Sequence, residues 1–155
     1  MANVFDGRNV LQMAMDMEKT GEDFYRCLGG ACDDVKAAAL CRRLAETEAN
    51  HYNVFRQIRD GLAKTGAPRP LPEDETEALH ELVKAHVVPD PEAVRKVALG
   101  GNLKTALALA VQMERDSVHF YEQLLPSVTG DHVAAVKRII AEEQQHVRSL
   151  LAQAV

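Results

Sequence analysis

The sequence predicts an all-α fold, a bundle of four long helices, and three observations support it. Ala, Leu, Glu, Lys and Arg dominate the long runs, only 5% of the residues are aromatic, and Trp is absent. Apolar residues recur at alternating steps of three and four in four separate stretches. Two of these stretches have similar sequences, MEKTGEDFYRCL at 17–28 and MERDSVHFYEQL at 113–124. We therefore expect two similar antiparallel helix hairpins within a single domain, residues 1–155.

The first hairpin is predicted to contain helices over about 8–28 and 34–63. Gly29-Gly30 is expected to end the first helix, and Asp33 or Asp34 can cap the second. The predicted interior positions of the first helix are Val10, Ala14, Met17, Gly21, Phe24 and Leu28. Those of the second are Ala37, Leu40, Leu44, Glu48, His51, Phe55, Ile58 and Leu62. An ionisable Glu and an ionisable His thus fall within an otherwise apolar stripe.

A long crossover over about 64–101 is predicted to join the two hairpins. Three prolines and a glycine interrupt 64–72, and a short helix is expected from about 73 to 87. Asp90-Pro91 opens a further short helix that Gly100-Gly101 closes. Because about 35 residues can run the full length of a bundle, the second and third long helices can be parallel.

The second hairpin is predicted to contain helices over about 102–125 and 131–153, with Asn102 as the cap of the first. Pro126 to Asp131 is expected to form the turn between them. The predicted interior positions are Leu103, Ala106, Ala110, Met113, Ser117, Phe120 and Leu124, with Glu114 beside them. Those of the last helix are Val136, Ile139, Glu143, His146 and Leu150.

Each hairpin carries a Glu followed seven residues later by a Tyr. The pairs are Glu18 with Tyr25 and Glu114 with Tyr121. Seven residues correspond to two helical turns, so each Glu and its Tyr share one helix face. We expect Tyr121 to support Glu114 within the same helix.

Each hairpin also carries a Glu-x-x-His motif in its second helix, Glu48-Ala-Asn-His51 and Glu143-Gln-Gln-His146. Glu and His one turn apart project from the same helix face. The Glu of each Glu–Tyr pair lies about 11 residues before its turn, and the Glu of each motif about 12 to 15 after it. At 1.5 Å per residue, all four carboxylates are expected near the middle of the bundle.

Four carboxylates and two imidazoles in one core need a compensating charge, because an unpaired buried ion costs several kcal/mol or more. Two divalent cations would neutralise the four carboxylates while neutral histidines supply nitrogen ligands. A third motif, Glu77-Ala-Leu-His80, lies in the crossover without an associated Glu–Tyr pair. We interpret it as a chance match that faces solvent.

The two Glu–Tyr pairs and two Glu-x-x-His motifs resemble those of the ferritin-like superfamily and, within it, the rubrerythrin-like proteins. This resemblance covers all four long helices and implies a ferritin-like four-helix bundle with a di-iron centre. It implies six iron ligands, namely Glu18, Glu48, His51, Glu114, Glu143 and His146. The Glu residues of the two motifs would bridge both irons, and the other two Glu and both His would be terminal ligands. Spacing alone also allows manganese.

The resemblance further implies that Tyr25 and Tyr121 donate hydrogen bonds that orient ligand carboxylates, with ordinary core packing as the alternative. The family commonly carries an additional Glu one turn after the ligand of the third helix, where this chain has Ser117. Glu22 could substitute for it in part, or could be a solvated surface residue.

The family resemblance implies a redox enzyme that reduces hydrogen peroxide, or dioxygen, to water at two ferrous ions. The three cysteines, Cys27, Cys32 and Cys41, form no C-x-x-C pair and are expected to be buried or half-buried thiols. We therefore expect no rubredoxin-like domain, so that a separate donor protein or ferrous iron supplies the electrons. The alternatives are a ferroxidase that stores or delivers iron, a manganese catalase-like enzyme, and a non-catalytic metal-binding or metal-sensing bundle.

The net charge argues against two classes of binding partner, nucleic acids and anionic membranes. The net charge is −5, and no dense block of Lys and Arg is present, so neither nucleic acid nor an anionic membrane is the expected partner. No apolar run has transmembrane length, and the amino terminus has no secretory pattern. We expect a cytoplasmic protein, and the family resemblance favours a homodimer.

Overall fold

The computed structural model of the chain describes residues 7–64, 77 and 89–155. Within them, the helices are α1 (Gly7–Ala31), α2 (Val35–Lys64), α3 (Pro91–Leu99), α4 (Leu103–Leu124) and α5 (His132–Gln153). A single 3-10 turn, Leu125–Ser127, follows α4 directly. The all-α prediction and its four long helices are thus confirmed. The predicted helix at about 73–87 and the motif of Glu77 lie outside the described residues, apart from Glu77 itself, which is helical and exposed.

Three helix starts follow the predicted capping chemistry. Asp34 accepts a hydrogen bond from the backbone N–H of Ala37 at 2.9 Å, and Asn102 accepts one from that of Thr105 at 3.0 Å. At the start of α3, the side chain of Asp90 accepts the N–H of Glu92 at 3.2 Å. Each of these side chains satisfies an amide that has no partner within its own helix.

The predicted end of α1 at Gly29-Gly30 is wrong, because the helix continues through both glycines to Ala31. The N–H of Cys32 still bonds to the carbonyl of Leu28 at 2.9 Å. A Cβ at Gly29 would lie 3.2 Å from the Cβ of Cys41 on α2. Gly29 therefore serves a close approach of two helices rather than a chain reversal.

Side-chain contacts between the hairpins fix the helix directions. Along α1 and α4, Tyr25 pairs with Glu114 while Glu18 pairs with Tyr121, so the residue numbers run in opposite directions. The same holds for α2 and α5, where His51 lies against Glu143 and His146 against Glu48. Because each hairpin is also antiparallel, α2 and α4 are parallel, as the long crossover allows.

Two apolar clusters fill the bundle on either side of a polar middle. The first includes Leu11, Phe55, Ile58, Phe120, Tyr121 and Val136. The second includes Phe24, Tyr25, Leu40, Leu44, Leu107 and Leu150, together with Val94 and Ala98 of α3. The short helix α3 thus packs against the second cluster. Polar residues buried between these clusters are the candidate site.

The three cysteines are free thiols, with Cys41 buried and the other two half-buried, as expected. Burial raises the pKa of the Cys41 thiol to about 11, so it stays protonated at neutral pH. None of the helices in the described ranges is long and apolar enough to cross a membrane.

Candidate metal centre

All six residues predicted as ligands lie at one level in the middle of the bundle. Their side chains come from four helices, Glu18 from α1, Glu48 and His51 from α2, Glu114 from α4, and Glu143 and His146 from α5. Each is buried, with the exposed fraction reaching 7% only at His146. The six side chains therefore meet at one level, as their heights along the helices predicted. Their roles as metal ligands stay predictions.

The six side chains form two overlapping groups. In the first, one atom each of Glu18, Glu48, His51 and Glu143 lie within 4.8 Å of one another. In the second, the same holds for Glu48, Glu114, Glu143 and His146. The Glu residues of the two Glu-x-x-His motifs belong to both groups. This arrangement has the form of two adjacent metal positions that share two carboxylates.

Unpartnered polar atoms show that the cluster fits a bound cation. Within the described ranges, six buried side-chain nitrogen and oxygen atoms form no hydrogen bond of acceptable geometry, although some of them lie close to one another. All six belong to this cluster, and they are Glu18 Oε2, Glu48 Oε1, His51 Nδ1, Glu143 Oε1 and Oε2, and His146 Nδ1. An unsatisfied buried polar atom costs about 1–3 kcal/mol, so such a concentration needs a ligand. Carboxylate oxygens and imidazole nitrogens are donors that bind divalent transition metals.

The two imidazoles turn the same ring nitrogen towards the carboxylates. Nδ1 of His51 lies 2.7 Å from Oε1 of Glu143 and 3.5 Å from Oε2 of Glu18. Nδ1 of His146 lies 3.2 Å from Oε1 of Glu48 and 3.4 Å from Oε2 of Glu114. The rings stack with centroids 5.9 Å apart. Each His thus faces the motif Glu of the other hairpin, and Nδ1 is its candidate ligating atom.

Burial and mutual repulsion shift the protonation of the carboxyl groups. Burial, reinforced by the charge of Glu18, raises the pKa of Glu48 well above its usual range. Burial and the charge of Glu114 do the same for Glu143. Burial also acts on Glu114, but the neighbouring carboxyl of Glu143 and imidazole of His146 outweigh it and lower its pKa. Without bound cations, these shifts favour the protonated forms of Glu48 and Glu143.

Each Tyr donates to a Glu of the other hairpin, which corrects the predicted pairing of Tyr121 with Glu114. The hydroxyl of Tyr121 donates to Oε1 of Glu18 at 2.5 Å, and that of Tyr25 donates to Oε1 of Glu114. Seven residues separate Glu and Tyr along one helix by about 10.5 Å, whereas the antiparallel neighbour brings the other Tyr to the same height. Each Tyr leaves the second oxygen of its Glu directed into the cluster.

Sequence reasoning missed Glu142, which lies directly before the motif Glu143. Its Oε2 lies 2.7 Å from Nε2 of His51, and its Oε1 accepts a hydrogen bond from Nε of Arg138 at 3.0 Å. Burial opposes the shift, but the contacts with His51 and Arg138 lower the pKa of Glu142. The doubled Glu at 142 and 143 is a signal in the sequence, although the target of the first carboxylate depends on how α2 and α5 are rotated.

Gly21 gives Glu48 the space that it occupies. A Cβ at position 21 would lie 2.9 Å from Oε2 of Glu48, closer than side chains approach one another in folded proteins. Position 21 was predicted only as an interior position of α1. Its role is to admit the carboxylate of a neighbouring helix.

Glu22, which could substitute in part for the additional Glu of the family, makes its contacts outside the cluster. Glu22 pairs with Arg26 at 2.9 Å and with Lys19 at 3.4 Å on α1. Its carboxylate is therefore engaged with cations of α1 and belongs to neither group of the cluster, but its side chain is only 13% exposed and is not the solvated surface group of the alternative prediction. Ser117 is half-buried.

A groove between α2 and α5 leads to the outer edges of both imidazoles. Its volume is about 610 Å³. Its lining includes Thr47, Asn50, His51, Arg138, Glu142 and His146. The cluster is thus enclosed by apolar side chains along the bundle axis and approached from this side.

Comparison with known proteins agrees with the fold. The family model described as rubrerythrin matches residues 9–154. The structure is similar to that of a protein from Thermotoga maritima described as a ferritin-like diiron-carboxylate protein, with a TM-score of 0.75 and 24% sequence identity. That similarity covers 99% of this chain and 97% of the other, which confirms the ferritin-like bundle. None of the curated proteins compared with the chain matches it.

Proposed function

The chain belongs to the rubrerythrin family, and we propose that it is a non-haem di-iron oxidoreductase that reduces hydrogen peroxide. Dioxygen is the alternative oxidant, and a separate donor protein is the proposed source of electrons. One observation carries the proposal. Two buried groups of Glu and His side chains share Glu48 and Glu143, and these groups contain all six unpartnered buried polar atoms of the described chain.

The charges of the cluster support two divalent cations rather than one. Four ionised carboxylates carry four negative charges, which two divalent cations neutralise while both histidines stay neutral. Glu48 and Glu143 would each bind both cations, because they belong to both groups. Glu18 with His51 and Glu114 with His146 would complete the two sets. Iron is proposed because the family and the similar T. maritima protein point to it.

When bound, two ferrous ions supply the two electrons that, with two protons, convert one hydrogen peroxide molecule into two water molecules. The protein's own residues prepare the site for this chemistry. Tyr25 and Tyr121 hold Glu114 and Glu18 through one oxygen each, so the second oxygens stay directed inward.

The surroundings of the site support a small, water-soluble oxidant. The two apolar clusters exclude water from both ends of the cluster along the bundle axis. The groove between α2 and α5 leaves a polar approach beside His51 and His146. We infer that peroxide enters by this groove, because its lining joins solvent to the imidazole edges.

The test is to load the purified protein anaerobically with two ferrous ions per chain and to add one equivalent of hydrogen peroxide. Rapid formation of the ferric absorption, with one peroxide consumed per two irons, is expected. A loaded protein that peroxide does not oxidise faster than ferrous iron free in the same buffer contradicts the proposal. Glu46→Gln, a change at an exposed Glu of α2, is the matched control and should react like the wild type.

The same preparation separates the alternative functions. Oxidation of many ferrous ions per site under air, with iron retained or passed on, would indicate a ferroxidase. Manganese in the protein as isolated, with disproportionation of peroxide, would indicate a catalase-like enzyme. Two bound metals without turnover would indicate a binding or sensing bundle.

A further inference from the structure

The two histidines of the cluster are equivalent in the sequence repeat but differ in their outer contacts. Each follows a motif Glu by three residues, and each turns Nδ1 inward. Their Nε2 atoms face away from the carboxylate cluster. What lies beside Nε2 differs between the two hairpins.

At His51, Nε2 lies 2.7 Å from Oε2 of Glu142. Because Nδ1 is the inward atom, the Nε2 of a ligating His51 carries the hydrogen and donates it to Glu142. Arg138 bonds to the other oxygen of Glu142 at 3.0 Å, which holds this carboxylate in place and ionised. The result is a chain of contacts from Arg138 through Glu142 to the imidazole.

At His146, the corresponding position holds a hydroxyl instead of a carboxylate. Thr47 directly precedes Glu48, as Glu142 directly precedes Glu143, and both line the same groove. The hydroxyl of Thr47 donates to the backbone carbonyl of Arg43 at 3.1 Å, within its own helix. In the described part of the chain, Nε2 of His146 has no carboxylate hydrogen-bond partner.

We propose that this difference makes the two metal positions unequal, so that the position of His51 binds a divalent cation more tightly than that of His146. The proposal rests on the two-metal site proposed above and assigns Glu142 as a positioning residue. A carboxylate that accepts the outer N–H of a ligating imidazole fixes its tautomer and strengthens its inner nitrogen as a donor. Thr47 offers no such carboxylate, because its hydroxyl carries no negative charge and its proton is donated to the backbone carbonyl of Arg43.

The test is a titration of the full chain, freed of metal with a chelator, with Co²⁺ followed by calorimetry and by visible absorption. The wild type should bind two Co²⁺ per chain in two events of different affinity. In Glu142→Thr, which copies the situation of His146, the tighter event should weaken by about 10- to 100-fold. The two events then merge, while the total stays at two Co²⁺.

Two further variants separate the role of Glu142 from a structural one. Thr47→Glu offers His146 a carboxylate and should tighten the weaker event. Glu142→Gln keeps a hydrogen-bond acceptor without the charge and should weaken the tighter event less than Glu142→Thr does. Glu46→Thr makes the same chemical change at an exposed position of α2 and should leave both affinities unchanged.

Two equal affinities in the wild type, or a loss in Glu142→Thr that falls equally on both events, would overturn the inference. Either result would leave the two-metal site itself standing. Binding of fewer than two Co²⁺ by the wild type would contradict the two-metal proposal and the inference with it.

Discussion

At the scale of single residues, the site depends on neighbours that control where four carboxylates point. Two tyrosines each bind one oxygen of a Glu across the bundle, and Gly21 leaves space for the carboxylate of Glu48. Glu142 holds the outer nitrogen of His51. These side chains turn a set of buried charges into a site of defined geometry.

Gly21→Ala is expected to weaken metal binding without unfolding the protein. Its methyl group would lie 2.9 Å from Oε2 of Glu48 and would displace that carboxylate. Affinity for the first divalent cation should fall by at least about tenfold, as measured by Co²⁺ titration. The control is Gly30→Ala, because a Cβ there meets no atom within 4 Å. Unchanged affinity in Gly21→Ala would contradict the role assigned to this glycine.

Tyr121→Phe is expected to destabilise the protein by about 1–3 kcal/mol, because a buried oxygen of Glu18 loses its donor. The measurement is urea unfolding of the metal-free protein at neutral pH. Tyr52→Phe changes a half-buried tyrosine of α2 and is the control. Equal losses in the two variants would show that the contact with Glu18 adds nothing particular to stability.

At the scale of helices, the sequence predicts what depends on periodicity and misses what depends on how helices face each other. Most interior positions predicted from steps of three and four are buried, and they include Glu48, His51, Glu143 and His146, whereas Glu18 and Glu114 lie beside the predicted stripes. The partner of each Tyr, the target of Glu142 and the end of α1 beyond Gly30 depend on rotation and close approach between helices. A hydrophobic period does not specify these relations.

The start of α4 depends on its cap. Asn102→Ala should lower the free energy of unfolding by about 0.5–2 kcal/mol, because the N–H of Thr105 loses its acceptor. Asp131→Ala at the start of α5 is the matched control, since the side chain of Asp131 forms no capping hydrogen bond. Denaturant unfolding of both variants is the measurement. A loss at Asp131 as large as that at Asn102 would refute this explanation.

At the scale of the whole molecule, the bundle places its polar site between two apolar clusters, and α3 packs against the second of them. The sequence predicts the four long helices, and the similarity to a ferritin-like structure agrees with this fold. Such a core destabilises the fold, because its buried carboxyl groups repel one another. The stability of the protein should therefore depend on protonation of these carboxyl groups when metal is absent, and on bound metal when the carboxyl groups are ionised.

The metal-free protein is expected to lose stability as pH rises above about 4.5, the ordinary pKa of Glu. Burial raises the pKa values of Glu48 and Glu143 in the folded state, so folding favours their protonated forms. The stabilisation that comes from their protonated forms is complete below the pKa of Glu in the unfolded chain. It is lost as pH rises through the pKa values of the two groups in the folded protein. A double variant, Glu48→Gln with Glu143→Gln, lacks these two titrations.

Thermal unfolding of the metal-free wild type and of this double variant between about pH 5 and pH 8 is the measurement. The stability of the wild type relative to the variant should decrease as pH increases. A difference that is constant over this range, or that grows in favour of the wild type, would contradict the assignment.

The most direct test of the two-metal site is the number of irons that each chain retains. After anaerobic loading with ferrous iron and removal of excess metal, elemental analysis should give two irons per wild-type chain. Glu48→Ala and Glu143→Ala should each lose two-metal loading, because each removes a carboxylate that both groups share. Glu46→Ala should retain two. A wild type with one iron or none, or shared-carboxylate variants that still hold two, would contradict the account.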